Sequence, residues 1–255
     1  MMPFIHLGSW TLATYGMLIA LGFFVAFYLF AAELRRGGLT RVRPIVVTAV
    51  LCITGVLFSK LYTILEDPAR FAAHPAALLI RSGFTFYGGV LGDFLALALL
   101  ARHYRTSMPR LLDALAAPLA LGYAIGRMAC FFAGDGDYGI PTTLPWGMSF
   151  PNGIVPTIEP VHPTPLYEAA LSAALALLLW RIGAPRRDHP PFYVFSVYLL
   201  LSGMARFAVE FIKRNPEVLL GLVNAQLIAA VSIVAGLVGW WRTRTSPQSV
   251  RTSAP

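Results

Sequence analysis

Two arginines stand inside stretches otherwise apolar enough for a bilayer: Arg127, which ends GYAIGR, and Arg206, in RFAVEF. An ionisable group in such a stretch is costly and usually serves a function or a buried pair. Glu210 follows Arg206 by four residues, on the same helical face, so the two can pair. A structural ion pair locking that helix to its neighbours is the plain reading of Arg206 and Glu210. A second buried cation points further. Arg127 closes a run in which Gly122 and Gly126 form a small-xxx-small pair, a spacing that lets another helix approach closely. Guanidinium groups bind phosphate through two parallel hydrogen bonds. Two of them converging near the ends of their helices would suit a phosphate, and in a bilayer the available phosphates are lipid head groups.

Directly after Arg127 comes AGDGDYGIPTTLPWGMSFPNG, residues 133–153. Asp135 and Asp137 have the spacing that opens a calcium loop. Gly139 then takes the place of the third acid and Trp146 that of the bidentate glutamate, so no metal is expected there. The glycines suit backbone that turns sharply or passes close to a ligand. Pro141 and Pro145 stiffen the exit, and Trp146 suits a membrane–water interface. VHPTPLYEA, residues 161–169, reads as a helix start with Thr164 as N-cap and Pro165 at the first helical position. His162 would stand just outside the membrane and Glu168 just inside the helix. They are either ordinary loop and first-turn residues or groups that reach across to the 133–153 loop and the arginines. Tyr87, in SGFTFYGGVLGDF, and Tyr15, in LATYGML, each read as an interfacial tyrosine.

The elements that must position these groups follow from composition. Of 255 residues, 57% are hydrophobic and 13% charged, with a mean hydropathy of +0.66. Soluble domains carry roughly 25% charged residues, so lipid is the solvent for most of this surface. A spanning helix needs about 20 predominantly apolar residues. Seven such spans are expected, near 12–32, 45–65, 86–101, 111–132, 164–181, 192–212 and 222–241. One set of connections holds thirteen basic residues: Arg35, Arg36, Arg41, Arg43, Arg102, Arg105, Arg110, Arg181, Arg186, Arg187, Arg242, Arg244 and Arg251. The opposite set holds five: Lys60, Arg70, Arg81, Lys213 and Arg214. Basic loops stay in the cytoplasm, which predicts an N-terminus outside and a cytoplasmic C-terminus. The expected architecture is an all-α polytopic membrane protein with one transmembrane domain over 1–242. Its outer-face loops are 66–85 and 133–163, and a disordered cytoplasmic tail covers 243–255.

The net charge of +8 sits in short clusters between apolar runs, a pattern set by membrane topology and not by nucleic acid. MMPFIHLGSW lacks a basic n-region and a small-residue cleavage site, so the first span is expected to be retained. Cys52 and Cys130 both fall in apolar runs, with no C-x-x-C or His/Cys metal spacing. The chain shows neither an internal repeat nor a low-complexity tract.

Taken together, these segments resemble the prolipoprotein diacylglyceryl transferase family. GRMACFFAGDGDYGIPTTLPWGMSFP is similar to that family's G-R-x-G-N-F-x-N-x-E-x-[YW]-G-R-P-T-x-L-P-W-G-x-x-F-P pattern. HPTPLYEA resembles H-P-[ST]-Q-L-Y-E, and RFAVEFIKRNPE resembles R-F-x-[IV]-E-x-x-R-x-P-[DE]. FTFYGGVLG resembles S-F-H-G-G-x-x-G, ATYGML resembles an early R-x-Y-G, and GLVNAQ matches a final-span element containing Gln. The order and spacing match over most of the chain.

The resemblance implies transfer of the diacylglyceryl group of phosphatidylglycerol to the lipobox cysteine of a preprolipoprotein signal peptide. The place would be the outer face of the bacterial cytoplasmic (inner) membrane, with no metal or organic cofactor. It implies that Arg127 and Arg206 are the essential arginines and that Glu210 positions the second. Tyr15, Gly139, His162, Tyr167 and Glu168 match further motif positions, which implies a catalytic place for His162 and substrate contacts for the other four. The family's acidic loop residue corresponds to either Asp135 or Asp137, because this loop is one residue longer.

The departures are specific. The family's histidine in S-F-H-G-G is Tyr87, its asparagine after G-R is Cys130, its arginine after [YW]-G is Ile140, and its glutamine in H-P-S-Q is Pro165. Histidine takes a thiol proton near neutral pH, whereas a tyrosine of ordinary pKa, about 10, does not. Three readings follow: a working diacylglyceryl transferase, a paralogue with another acceptor or lipid, and a non-catalytic lipid- or lipoprotein-binding membrane protein or transporter.

Overall fold

A computed structural model describes residues 2–8, 10–66, 68, 86–183, 189–216, 218 and 221–245. Among the described residues are seven helices: α1 (Thr14–Arg36), α2 (Pro44–Glu66), α3 (Phe86–His103), α4 (Met108–Ala133), α5 (Thr164–Ile182), α6 (Tyr193–Glu210) and α7 (Asn224–Thr245). Two small antiparallel hairpins accompany them, β1 (Phe4–Leu7) with β2 (Trp10–Ala13) and β3 (Met148–Phe150) with β4 (Thr157–Val161). The architecture is the expected all-α polytopic one. Among the described residues, six helices are long and apolar enough to cross a membrane. The 18-residue α3 is not among those six; it carries Asp93 inside and Arg102 and His103 at its end. The 66–85 loop lies outside the described residues save for Glu66 and Pro68. Of the expected tail, Thr243–Thr245 continue α7, and the remainder lies outside the described residues.

The chain divides into two compact units, Met1–Gly37 with Leu112–Pro255, and Gly38–Leu111. In the second unit α2 packs along α3. A Cβ at Gly88 would lie 2.4 Å from the Phe58 carbonyl oxygen, so the contact requires glycine. Inside this pair Thr54 Oγ1 donates to Asp93 Oδ1 at 2.8 Å, which gives the mid-helix carboxyl a polar partner.

The first unit holds α1 and α4 to α7. Its core is built from small residues, with Ala116, Ala117 and Ala120 of α4 packed against Leu175, Ala176 and Leu179 of α5 and Val194 of α6. Large apolar side chains face outward instead, among them Phe23 and Phe24 on α1 and Val231, Val234 and Trp241 on α7. That inversion is what a lipid solvent produces, since helices in lipid associate through close packing of small residues. At Gly236 of α7 a Cβ would sit 2.5 Å from the backbone nitrogen of Leu200 on α6.

Polar side chains tie the helices at one end of this unit. Asp113 of α4 accepts the Phe192 and Phe195 backbone N–H groups at 2.7 and 2.8 Å, satisfying donors that the start of α6 leaves unpaired. Arg36 of α1 pairs with Glu33 and reaches the Trp180 carbonyl of α5 at 3.2 Å. The opposite end, where α4 and α6 finish and α5 begins, carries the groups singled out in the sequence.

Candidate anion-binding site

Arg127 lies in the penultimate turn of α4, one turn after Tyr123, and its guanidinium sits 4.9 Å over the Tyr123 ring. Its Nη1 pairs with Asp137 Oδ2, and its Nε lies 3.4 Å from Glu168 Oε2. Arg206, in the last turn and a half of α6, uses both terminal nitrogens on carboxylates. Nη1 meets Glu168 Oε1 at 2.5 Å and Nη2 meets Glu210 Oε1 at 2.5 Å. The i,i+4 pair read from RFAVEF is therefore present, and Glu210 is further held by Asn215, whose Nδ2 donates to its Oε2 at 2.6 Å.

Glu168 is the hub. It extends from the first turns of α5, is 4% exposed, and its Oε1 also accepts from the Tyr123 hydroxyl at 2.8 Å. Its Oε2 lies 2.9 Å from Lys213 Nζ. Lys213 completes the group by facing Asp137 Oδ1 at 3.2 Å, with its own side chain 2% exposed. Three cations and three carboxylates, from α4, α5, α6 and two loops, thus form one network.

The 134–161 segment is pinned against this network by its backbone. Gly139 N–H donates to the His162 carbonyl at 2.9 Å, Ile140 N–H to the Ile212 carbonyl at 2.8 Å, and His162 N–H to the Ile140 carbonyl at 3.1 Å. A Cβ at Gly139 would lie 2.5 Å from the Ile212 carbonyl oxygen and 2.7 Å from His162 Cβ, so the chain passes here only as glycine. Tyr138 stacks on Phe150 with ring centroids 4.0 Å apart and donates to the Val155 carbonyl at 3.1 Å. Burial raises its pKa above the ordinary tyrosine value. Burial alone would also push the Asp137 carboxyl up, but the Arg127 guanidinium and the Lys213 ammonium beside it hold it below the usual carboxylate range.

Several expectations are changed by these contacts. Thr164 is the first residue of α5 and not its N-cap; the cap position is Pro163, with no side-chain cap bond. The Thr164 hydroxyl instead donates to the Asp137 carbonyl at 2.6 Å, tying the start of α5 to the loop. Of the two loop acids, Asp137 joins the cations. Asp135 accepts the Asp137 N–H at 3.3 Å and pairs with no cation among the described residues. His162 is not on the arginines, because its Nδ1 lies 3.4 Å from the Tyr167 hydroxyl, which accepts from Trp146 Nε1 at 2.8 Å. Tyr15, in the first turn of α1, lies within electrostatic range of Arg127, Cys130, Asp135 and Asp137. The Cys130 thiol is 3.9 Å from Arg127 Nη1. Tyr87 stands in the first turn of α3, in the other unit, and its side chain lies outside the described residues.

Sequence reasoning missed Lys213, Tyr123 and Asn215. Lys213 was counted with the loop cations, yet it follows Glu210 by three residues and Tyr123 precedes Arg127 by four. The helical spacing puts Tyr123 on the face already marked by Arg127, whereas Lys213 lies beyond the end of α6.

The sequence profile of the family described as prolipoprotein diacylglyceryl transferase matches residues 3–242. The chain is 34% identical over 226 residues to a phosphatidylglycerol–prolipoprotein diacylglyceryl transferase of Geobacter sulfurreducens, covering 86% of this chain and 84% of that protein. It is similarly 34% identical over 244 residues to the enzyme of that name from Oleidesulfovibrio alaskensis, with 91% and 89% covered. With the Clostridium tetani enzyme it shares 30% over 227 residues, 88% of this chain and 90% of the relative.

Proposed function

The chain belongs to the prolipoprotein diacylglyceryl transferase family, and on that premise we propose that it moves a diacylglyceryl group from phosphatidylglycerol to the lipobox cysteine thiol of a preprolipoprotein. The reaction takes place at the outer face of the bacterial cytoplasmic membrane. The observation that carries this reading is the sharing of one buried carboxylate, Glu168, by Arg127, Arg206 and Lys213. It gathers three cations at one end of the spanning helices, where a head group and a signal peptide can both arrive.

The acceptor sulfur attacks the glyceryl carbon bonded to the phosphate oxygen. The carbon–sulfur bond forms, the carbon–oxygen bond breaks, and glycerol phosphate leaves with the electron pair. Negative charge grows on the departing phosphate oxygen, and fixed cations in a water-poor site stabilise it at no cost of reorganisation. The thiol proton has to go to a base. We assign that role to the imidazole of His162, whose Nδ1 lies 3.4 Å from the Tyr167 hydroxyl.

Purified protein given phosphatidylglycerol and a lipobox peptide should yield a diacylglyceryl thioether and free glycerol phosphate, both read by mass spectrometry. No product beside a working family enzyme would sink this reading. Arg127→Ala and Arg206→Ala should each lower turnover by about a hundredfold or more, as loss of a transition-state charge partner does, while the protein stays folded. Tyr87, in place of the family histidine, favours a second reading in which the acceptor or lipid differs. A thioether formed only with another phospholipid or another thiol would support it.

A further inference from the structure

The network is already balanced, with Arg127, Arg206 and Lys213 set against Asp137, Glu168 and Glu210. A lipid phosphate brings one more negative charge. Burying an unpaired charge is prohibitive, so one carboxylate must yield its cations. Burial and attachment decide which. The Glu210 side chain is 0% exposed, sits on α6 and is held by Arg206 and Asn215. The Glu168 side chain is 4% exposed, sits on α5 and meets three cations and the Tyr123 hydroxyl. The Asp137 side chain is 33% exposed and belongs to a loop, directly after Gly136 at φ +94°.

The geometry of Asp137 is itself informative. Each of its oxygens faces a different cation, Oδ2 toward Arg127 Nη1 and Oδ1 toward Lys213 Nζ. Two oxygens on one centre spanning two cations is the pattern offered by the two non-bridging oxygens of a phosphate diester. The loop need not unfold to release the carboxylate. Its backbone is fixed independently, by Thr164 on the Asp137 carbonyl and by the Gly139 N–H on the His162 carbonyl, so rotation of one side chain suffices. Arg206 has no such freedom, because both terminal nitrogens are on buried carboxylates carried by helices.

We infer that the lipid phosphate is received by Arg127 and Lys213 in the place of the Asp137 carboxylate, which swings aside, while Arg206 stays with Glu168 and Glu210. This rests on the transferase reading above and makes Lys213 a phosphate-binding residue. It makes Arg206 a positioning residue that acts on the phosphate through Glu168 and through its field.

The test uses the full chain in a maltoside detergent, with sn-glycerol 3-phosphate and inorganic phosphate as calorimetric probes and phosphatidylglycerol as substrate. Asp137→Asn should bind glycerol phosphate about tenfold more tightly than the natural protein and lower KM for phosphatidylglycerol, the size expected from releasing two partly exposed ion pairs. Unchanged or weaker binding overturns the inference. Lys213→Met is the independent arm, needed if Asp137→Asn folds poorly. It should raise KM for phosphatidylglycerol, and Lys213→Arg should restore it; an unchanged KM in Lys213→Met overturns the inference equally. Tighter binding of inorganic phosphate alone, with glycerol phosphate unaffected, would mark a free-phosphate site and reject the lipid assignment. If the natural protein forms thioether normally while Asp137→Asn gains nothing, the inference falls and the transferase reading stands. If it neither binds glycerol phosphate nor forms thioether, both fall.

Discussion

At the scale of single residues, Glu168 and Tyr123 show how the cations are held. Glu168 takes charge from three cations, but only its Oε1 receives well-aligned hydrogen bonds, from Arg206 and Tyr123. The Tyr123 hydroxyl donates to Glu168 at 2.8 Å and accepts from Arg206 Nη1 at 3.2 Å, so it fixes the angle between the two charged groups. Its ring separately supports Arg127. Tyr123→Phe keeps the ring and deletes the hydroxyl. A hydrogen bond to a charged group contributes about 1.5–3 kcal/mol, so kcat/KM should fall by about tenfold to a hundredfold. Steady-state rates on phosphatidylglycerol check this; a rate near that of the natural protein would make the hydroxyl a bystander. The sequence displayed Arg127, Arg206 and Glu210 because a charge in an apolar run stands out. It hid Tyr123 and Lys213 because a tyrosine within an apolar helix and a lysine just beyond one are ordinary. Only the meeting of α4, α5 and α6 makes them partners.

At the scale of elements, hydropathy located the helices well, since lipid demands a long apolar run wherever the chain crosses. Bounds shifted by a few residues where polar ends continue the helix, as at α7, which runs on to Thr245. The joints between elements were not legible, because they are made by side chains distant in sequence. Asp113 is the clearest case. It sits in α4 yet supplies the acceptors for the first turn of α6, 79 and 82 residues away. Phe192, the residue it holds, is left-handed at φ +79°, a conformation that a bulky side chain adopts only under constraint. Asp113→Ala should cost about 1–2 kcal/mol, the range for losing a helix-capping side chain. Thermal unfolding in detergent should show a lowered midpoint, with kcat on the surviving fold little changed because the site lies at the other end of these helices. A kcat loss without destabilisation would show that α6 transmits its position to Arg206.

At the scale of the whole molecule, the question is which side of the membrane the Arg127–Glu168–Lys213 cluster faces. The helices alone do not answer it, since a bundle is equally stable either way up. The expectation comes from the sequence, whose basic residues between and beside the apolar runs divide into thirteen and five. Lys and Arg near helix ends hold a loop in the cytoplasm. One of the five, Lys213, is buried in the ion network. Ser107 directly precedes α4 and Ser149 follows it in the chain, both are exposed, and Ser149 belongs to the β3–β4 hairpin beside the site. In intact cells a membrane-impermeant maleimide should label Ser149→Cys and spare Ser107→Cys, with the unsubstituted chain as the blank for Cys52 and Cys130. Permeabilised cells should label both. The reverse pattern would turn the site toward the cytoplasm, where exported preprolipoproteins are not presented, and would remove the proposed acceptor whatever the chemistry of the cluster.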